Sequence, residues 1–161
     1  MITADQIREW LSEVTDPEIP VLTLEDLGVL RNIRQENGTW IVTITPTYSG
    51  CPAMKTMEDD IHRALTSHGL SNFSVETILS PSWTTDWMTE DGRKKLLEYG
   101  IAPPVKATAS KKVLMGLADN ISCPRCKSTN THMLSQFGST ACKALYVCDD
   151  CKEPFDYFKC L

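Results

Sequence analysis

Two Cys-x-x-Cys pairs near the end of the chain, Cys123-Pro124-Arg125-Cys126 and Cys148-Asp149-Asp150-Cys151, restrict its folding more than any other feature. A tail of about 40 residues is too short to be stabilised by apolar burial alone. Two pairs separated by the 21 residues 127–147 supply two thiolates each, enough to close a tetrahedral metal site. The spacing is close to that of a four-cysteine zinc ribbon, slightly longer than its common range. Structural zinc on Cys123, Cys126, Cys148 and Cys151 is therefore expected, with the metal supplying much of the folding energy of the tail. Iron accepts the same four thiolates, so the pattern leaves zinc against iron open. The plain alternative is a set of reduced, unligated cysteines.

Six of the seven cysteines follow residue 120, a clustering that points to metal rather than disulfides in a reducing compartment. Cys142 and Cys160 fall outside the two pairs. Either could replace a ligand, pack inside the ribbon or serve a second metal; packing is favoured for Cys142. His62, His68 and His132 are scattered and have no ligand partner at helical spacing, so they are read as surface or core side chains.

The seventh cysteine, Cys51, stands in the stretch VTITPTYSGCPAMKTMEDDIHRAL from Val42 to Leu65. A strand-like run ends at Pro46, a polar turn follows, and a helical pattern starts at Pro52, where proline is favoured at the first helical position. Cys51 thus falls at or beside a helix N-cap. There, unpaired N–H groups and the helix dipole favour a thiolate and would lower the thiol pKa. Met54, Met57, Ile61, Ala64 and Leu65 supply the buried helical face. Cys51 is read as a reactive or metal-binding thiolate, with Asp16, Glu18, Thr47 and Ser49 as candidate polar neighbours. Against this stands a buried small hydrophobe that happens to end a strand.

The remaining elements follow in order. Thr3-Ala4-Asp5-Gln6 is a capping box for a helix from about Ala4 to Val14, stopped by Asp16-Pro17-Glu18-Ile19-Pro20. Asn37-Gly38 joins two strand-like runs into a hairpin. Gly69 closes the helix after Cys51, and FSVETILS alternates as a third strand. Trp83 and Trp87 are read first as core aromatics beside that strand. Thr89 starts a helix that ends at Gly100. Ile101-Ala102-Pro103-Pro104 and the basic KATASKK after it look like an extended linker. The expected architecture is a compact α/β (α+β) domain over 1–104, a linker over 105–118 and a ribbon over 119–161.

Charge excludes some functions. The formal net charge is -5 and the pI about 5.2. Residues 119–161 hold five Lys/Arg against five Asp/Glu, so neither part has the basic footprint of a nucleic-acid binder. No apolar run approaches membrane-spanning length, and MITADQIREWL is not a signal sequence, so a cytoplasmic location is expected. No nucleotide-binding glycine fingerprint, Glu/His di-iron motif or Ser-His-Asp pattern marks an independent enzyme.

Taken in order, DPEIPVLTLEDLG, TPTYSGCP, SPSWTTDWMTEDGRKKLLEYGIAPP, CPRC, FGSTACKALYVCDDC and EPFDYFK resemble the PaaD family, accessory proteins of bacterial aerobic phenylacetate degradation. The first half is also similar to the domain shared by SufT and the cytosolic iron–sulfur assembly targeting factors. The resemblance implies a SufT-like α/β core with Cys51 as its functional thiol. It further implies a role in maturing phenylacetyl-CoA epoxidase, rather than in oxygenation. Either the di-iron subunit or the flavin and iron–sulfur reductase subunit could be the client.

The leading expectation is therefore a non-enzymatic maturation factor in which Cys51 ligates an iron–sulfur cluster transiently. Two alternatives remain: a scaffold holding epoxidase subunits together, and a thiol enzyme using Cys51 as nucleophile. The last lacks a nearby His base, since His62 lies about three helical turns away. The Trp83–Trp87 segment and FDYFKCL are candidate client contacts, and a homodimer is an assembly the sequence leaves open.

Overall fold

The structure is a computed structural model that describes residues 1–105 and 121–159. The chain divides into two compact units, Met1–Trp83 and Thr84–Leu161. Residues 84–104, which the sequence assigns to the first domain, pack with the tail. The expected linker over 105–118 lies, apart from Val105, outside the described residues.

In the first unit, α1 (Ala4–Leu11) begins at Thr3, whose side chain accepts the Gln6 N–H while the Gln6 side chain returns to the Thr3 N–H. This reciprocal capping satisfies donors that a helix start leaves unpaired. The helix ends at Leu11, three residues before the expected Val14. A short α2 (Leu24–Leu27) has the same capping device at Thr23 and Asp26 and stops on Gly28 at φ 78°.

A hairpin then joins β1 (Leu30–Glu36) to β2 (Thr39–Ile44) through Asn37 (φ 49°) and Gly38 (φ 82°). Helix α3 (Ala53–Ser67) carries the chain to β3 (Phe73–Thr77), which pairs parallel to β2 with Trp40 opposite Phe73 and Ile44 opposite Thr77. The sheet order is β1-β2-β3, and β2–α3–β3 is a βαβ unit. Ile7, Leu11, Val42, Ile44, Met57 and Ile61 are among the core side chains. Trp83 closes this core as expected, 4% exposed, with its indole N–H donating to Leu27 O at 2.8 Å.

In the second unit, a 3-10 turn (Thr85–Trp87) precedes α4 (Glu90–Glu98), capped by the Thr89 side chain on the Gly92 N–H. Ile101–Ala102 form β4, a buried strand parallel to β7 (Pro154–Phe158), where an extended linker was expected. Two residues show no periodicity, and their partner lies some fifty positions later, so no local pattern marks this strand. The Arg93 guanidinium donates to Thr85 O and Pro104 O, tying both ends of α4. The sheet order is β4-β7-β6-β5, with β5 (Thr131–Ser135) and β6 (Lys143–Cys148) antiparallel. Tyr146 packs against Phe155 and Tyr157, with ring centroids 5.8 and 5.6 Å away.

Candidate metal centre and thiol site

The four predicted ligands meet. The Sγ atoms of Cys123, Cys126, Cys148 and Cys151 all lie within 4.8 Å of one another. Cys123 and Cys151 are 3.8 Å apart, Cys126 and Cys148 3.5 Å. A tetrahedral zinc with Zn–S bonds of about 2.3 Å needs sulfur–sulfur edges of about 3.8 Å, so this donor set fits the metal.

The two pairs are copies of one loop. The Cys123 N–H donates to Ser128 O and the Lys127 N–H to Cys123 O; Cys148 with Glu153, and Lys152 with Cys148, repeat both bonds at the same offsets. Lys127 and Lys152 both have positive φ. The sequence carries this as Cys-x-x-Cys-Lys twice, a repeat missed when only the cysteines are counted. The Asp150 carboxylate joins the loops by accepting from the Ser128 hydroxyl and the Asn130 amide, and these two bonds hold it below the usual carboxylate range.

The thiols are electrically unequal. Backbone N–H groups of Cys151 and Asp150 bring Cys148 down to about 7 against the effect of burial. At Cys151 the Glu153 N–H pulls downward, but burial and bonds to Cys148, Cys126 and Cys123 push it up to about 12. Crowded thiols cannot all ionise together; a divalent cation replaces their protons and removes the conflict.

Cys142 is outside this group and buried at the start of β6, its Sγ 3.1 Å from Thr140 Oγ1. Cys160 lies outside the described residues. No histidine joins the cysteine group among the described residues. His68 stacks on Trp10 with centroids 5.0 Å apart and pairs with Glu13 at 3.2 Å; His62 lies against Phe73. His132 meets Asp149 at the surface, 3.0 Å away.

Cys51 is buried, 9% exposed, between an exposed Gly50 at φ 75° and an exposed Pro52. Pro52 is the N-cap of α3 and Cys51 the residue before it. A side chain at position 50 would meet nothing within 4 Å, so the turn borders open space there. Among the described residues no side chain caps α3, and in its first turn the Met54 N–H donates to Cys51 O at 3.2 Å.

Among the candidate neighbours, Asp16 is buried, and its Oδ1 accepts the N–H groups of Glu18 (2.7 Å) and Ile19 (2.9 Å). It therefore fastens its own Asp-Pro-Glu turn. Glu18 and Thr47 are half-buried and Ser49 is exposed. Among the described residues, Cys51 Sγ has no hydrogen-bond partner, so none of the four is bonded to it. Thr45 is also buried, and its hydroxyl has no hydrogen-bond partner among the described residues; only three-dimensional packing reveals such a group.

Residues 4–78 match the family described as iron-sulfur cluster assembly protein, and residues 107–159 match the PaaD zinc beta ribbon domain. Over 99% of its length the chain is 51% identical to an Escherichia coli K12 protein provisionally named as a 1,2-phenylacetyl-CoA epoxidase subunit, and covers 96% of that protein. The chain belongs to the PaaD family. Other relatives match only part of the chain. One is an Fe-S protein maturation auxiliary factor of Porphyromonas gingivalis, 33% identical over 61% of this chain and 91% of its own. For the fold, the crystal structure of a DUF59 domain of unknown function from Bacillus anthracis superposes with a TM-score of 0.53 at 23% identity, covering 57% of this chain and 89% of its own. The PaaD architecture is thus a DUF59-type α/β unit with a C-terminal ribbon carrying a metal-binding cysteine cluster. No helix of the described residues is long and apolar enough to cross a membrane.

Proposed function

We propose that this chain is an accessory factor that matures a metal centre of the phenylacetyl-CoA epoxidase system, with Cys51 as the transient ligand of iron–sulfur cargo. The observation that carries the reading is the setting of Cys51. A buried thiol precedes an uncapped helix N-terminus, on a turn that borders open space, within the stretch that matches the iron–sulfur assembly family. Soft cysteine sulfur is the protein ligand suited to iron–sulfur species. One protein thiol cannot enclose a cluster, which suits passing cargo on better than keeping it. Asp16 and Glu18 have structural or docking roles, Asp16 fastening its own turn.

The four cysteines of the ribbon hold zinc as a structural ion. The protein is not the oxygenase, and acts in the cytoplasm on a protein client, the reductase subunit or the di-iron subunit. Anaerobic co-purification with each apo-subunit, followed by iron, zinc and sulfide analysis, tests this. The expected result is metal gained by one subunit only when this chain carries Cys51: iron with sulfide for the reductase subunit, iron alone for the di-iron subunit. Equal gain with and without the chain would refute it.

The relative's name favours a second reading, a standing subunit that scaffolds the complex. A Cys51→Ala form separates the two. A scaffold keeps full epoxidation with alanine there, whereas a maturation factor binds its client and leaves it without metal.

A further inference from the structure

Thr45 follows the last residue of β2. Its backbone is pinned, with the N–H donating to Val29 O at 2.9 Å, and the residue is 1% exposed. Its hydroxyl nevertheless has no hydrogen-bond partner among the described residues. A buried unpaired hydroxyl costs stability, and native structures hold few of them without a reason.

Thr43, two residues earlier on the same strand and also buried, shows the ordinary solution. It accepts from Arg34 Nη1 at 2.8 Å and donates to Glu76 Oε2 at 3.3 Å. Among the described residues Thr85 also has a buried hydroxyl without a partner, but it lies in the other unit, in a turn that Arg93 already ties down.

The position of Thr45 gives the reason. In a βαβ unit the carboxyl end of the first strand and the N-terminus of the crossover helix lie at the same end of the sheet, where such folds bind ligands. Thr45 is at that end of β2, and residues 46–51 lead from it to Cys51 and the uncapped start of α3. One end of one sheet therefore collects a pinned hydroxyl and a thiol that have no partner among the described residues, beside a helix start that no described side chain caps.

We propose that Thr45 is a ligand-facing residue of the Cys51 site. Its hydroxyl donates a hydrogen bond to sulfur, either the Cys51 thiolate or inorganic sulfide, when iron is held at this turn. The inference rests on the reading of Cys51 as an iron ligand. A hydroxyl has one proton to give, and iron–sulfur cargo brings anionic sulfur as its acceptor. Hydrogen bonds to cluster sulfurs are a recognised way in which a protein tunes such a centre.

The test uses the full chain with its ribbon loaded with zinc, exposed anaerobically to ferrous iron and sulfide and then desalted. Iron retained beyond the zinc is followed against a chelator in the wild type, Thr45→Val, Thr45→Ser and Cys51→Ser. Valine keeps the shape and removes the hydroxyl, so the cargo-free protein should melt a few degrees higher while losing iron several-fold faster. Serine restores the hydroxyl and should restore retention, which a purely structural role would not require. Thr45→Ala repeats the comparison with a side chain that cannot clash. If Thr45→Val holds iron as long as the wild type while Cys51→Ser loses it, Cys51 stands and the role of Thr45 is overturned. If the wild type and Cys51→Ser retain iron equally, the Cys51 reading itself fails and Thr45 falls with it.

Discussion

Lys127 and Lys152 have the same left-handed backbone conformation, φ 65° and 66°, each directly after the second cysteine of its pair. Each N–H turns back to the carbonyl of the first cysteine, at 3.0 and 2.9 Å. This turn lets two thiolates from four consecutive residues point at one metal. An L-residue in that conformation costs about 1–2 kcal/mol, and glycine escapes the cost at some expense in chain entropy. Lys127→Gly and Lys152→Gly should each leave the ribbon as stable as before or firmer by up to about 1 kcal/mol, while a β-branched residue there should loosen it. Zinc loss to a chelator and thermal melting measure both. Faster metal loss with glycine would contradict the shared-loop geometry.

Removing ligands should be far more severe. A Cys123→Ser, Cys126→Ser double variant leaves two thiolates, too few for a closed four-coordinate site. Its metal content should collapse, and the aromatic signal from Tyr146, Phe155 and Tyr157 should lose its near-ultraviolet asymmetry. The unit Met1–Trp83, with its own buried core, should keep its helical signal. Full zinc occupancy in this variant would reject the ligand set.

Asp16 separates a structural carboxylate from a chemical one. Asp16→Ala strands two N–H groups, those of Glu18 and Ile19, and should cost about 2–3 kcal/mol, since bonds to charged acceptors are among the stronger ones. Asp16→Asn keeps an acceptor oxygen and should recover most of that loss. Denaturant midpoints decide it. An Asn form as unstable as the Ala form would mean that the negative charge, and not the acceptor, holds the turn.

Trp83 tests how the first unit is closed. Trp83→Ala removes a buried indole and should cost about 3–5 kcal/mol. Trp83→Phe gives up chiefly the bond to Leu27 O, a loss of about 1 kcal/mol. Equal destabilisation by both would show that the hydrogen bond outweighs the packing.

These elements differ in how far they could be read in advance. Thr3-Ala4-Asp5-Gln6, Asn37-Gly38 and Gly69 act through local chemistry, and each has the role its residues announce. The grouping of Cys123, Cys126, Cys148 and Cys151 was legible because metal coordination fixes residue type and spacing together. Strand β4 was not, because Ile101 and Ala102 are strand only by pairing with Asp156 and Tyr157. The same reason hid the boundary at Trp83: α4 and β4 follow the first unit in sequence but pack with the ribbon. Cys51 was singled out as a candidate from Gly50 and Pro52 beside it, yet its burial and the Thr45 hydroxyl without a partner among the described residues arise from packing, on which the sequence is silent.

The most direct measurement is epoxidation of phenylacetyl-CoA in cells whose only copy of this protein carries Cys51→Ser. Cys51 precedes the N-cap, is 9% exposed and makes no side-chain hydrogen bond among the described residues, so serine should keep the fold and the zinc while lowering the melting temperature by a few degrees, the cost of burying an unpaired hydroxyl. The expected outcome is a stable, zinc-containing protein and an epoxidase system that lacks metal and does not turn over. Normal epoxidation with serine at this position would remove the thiol from the mechanism.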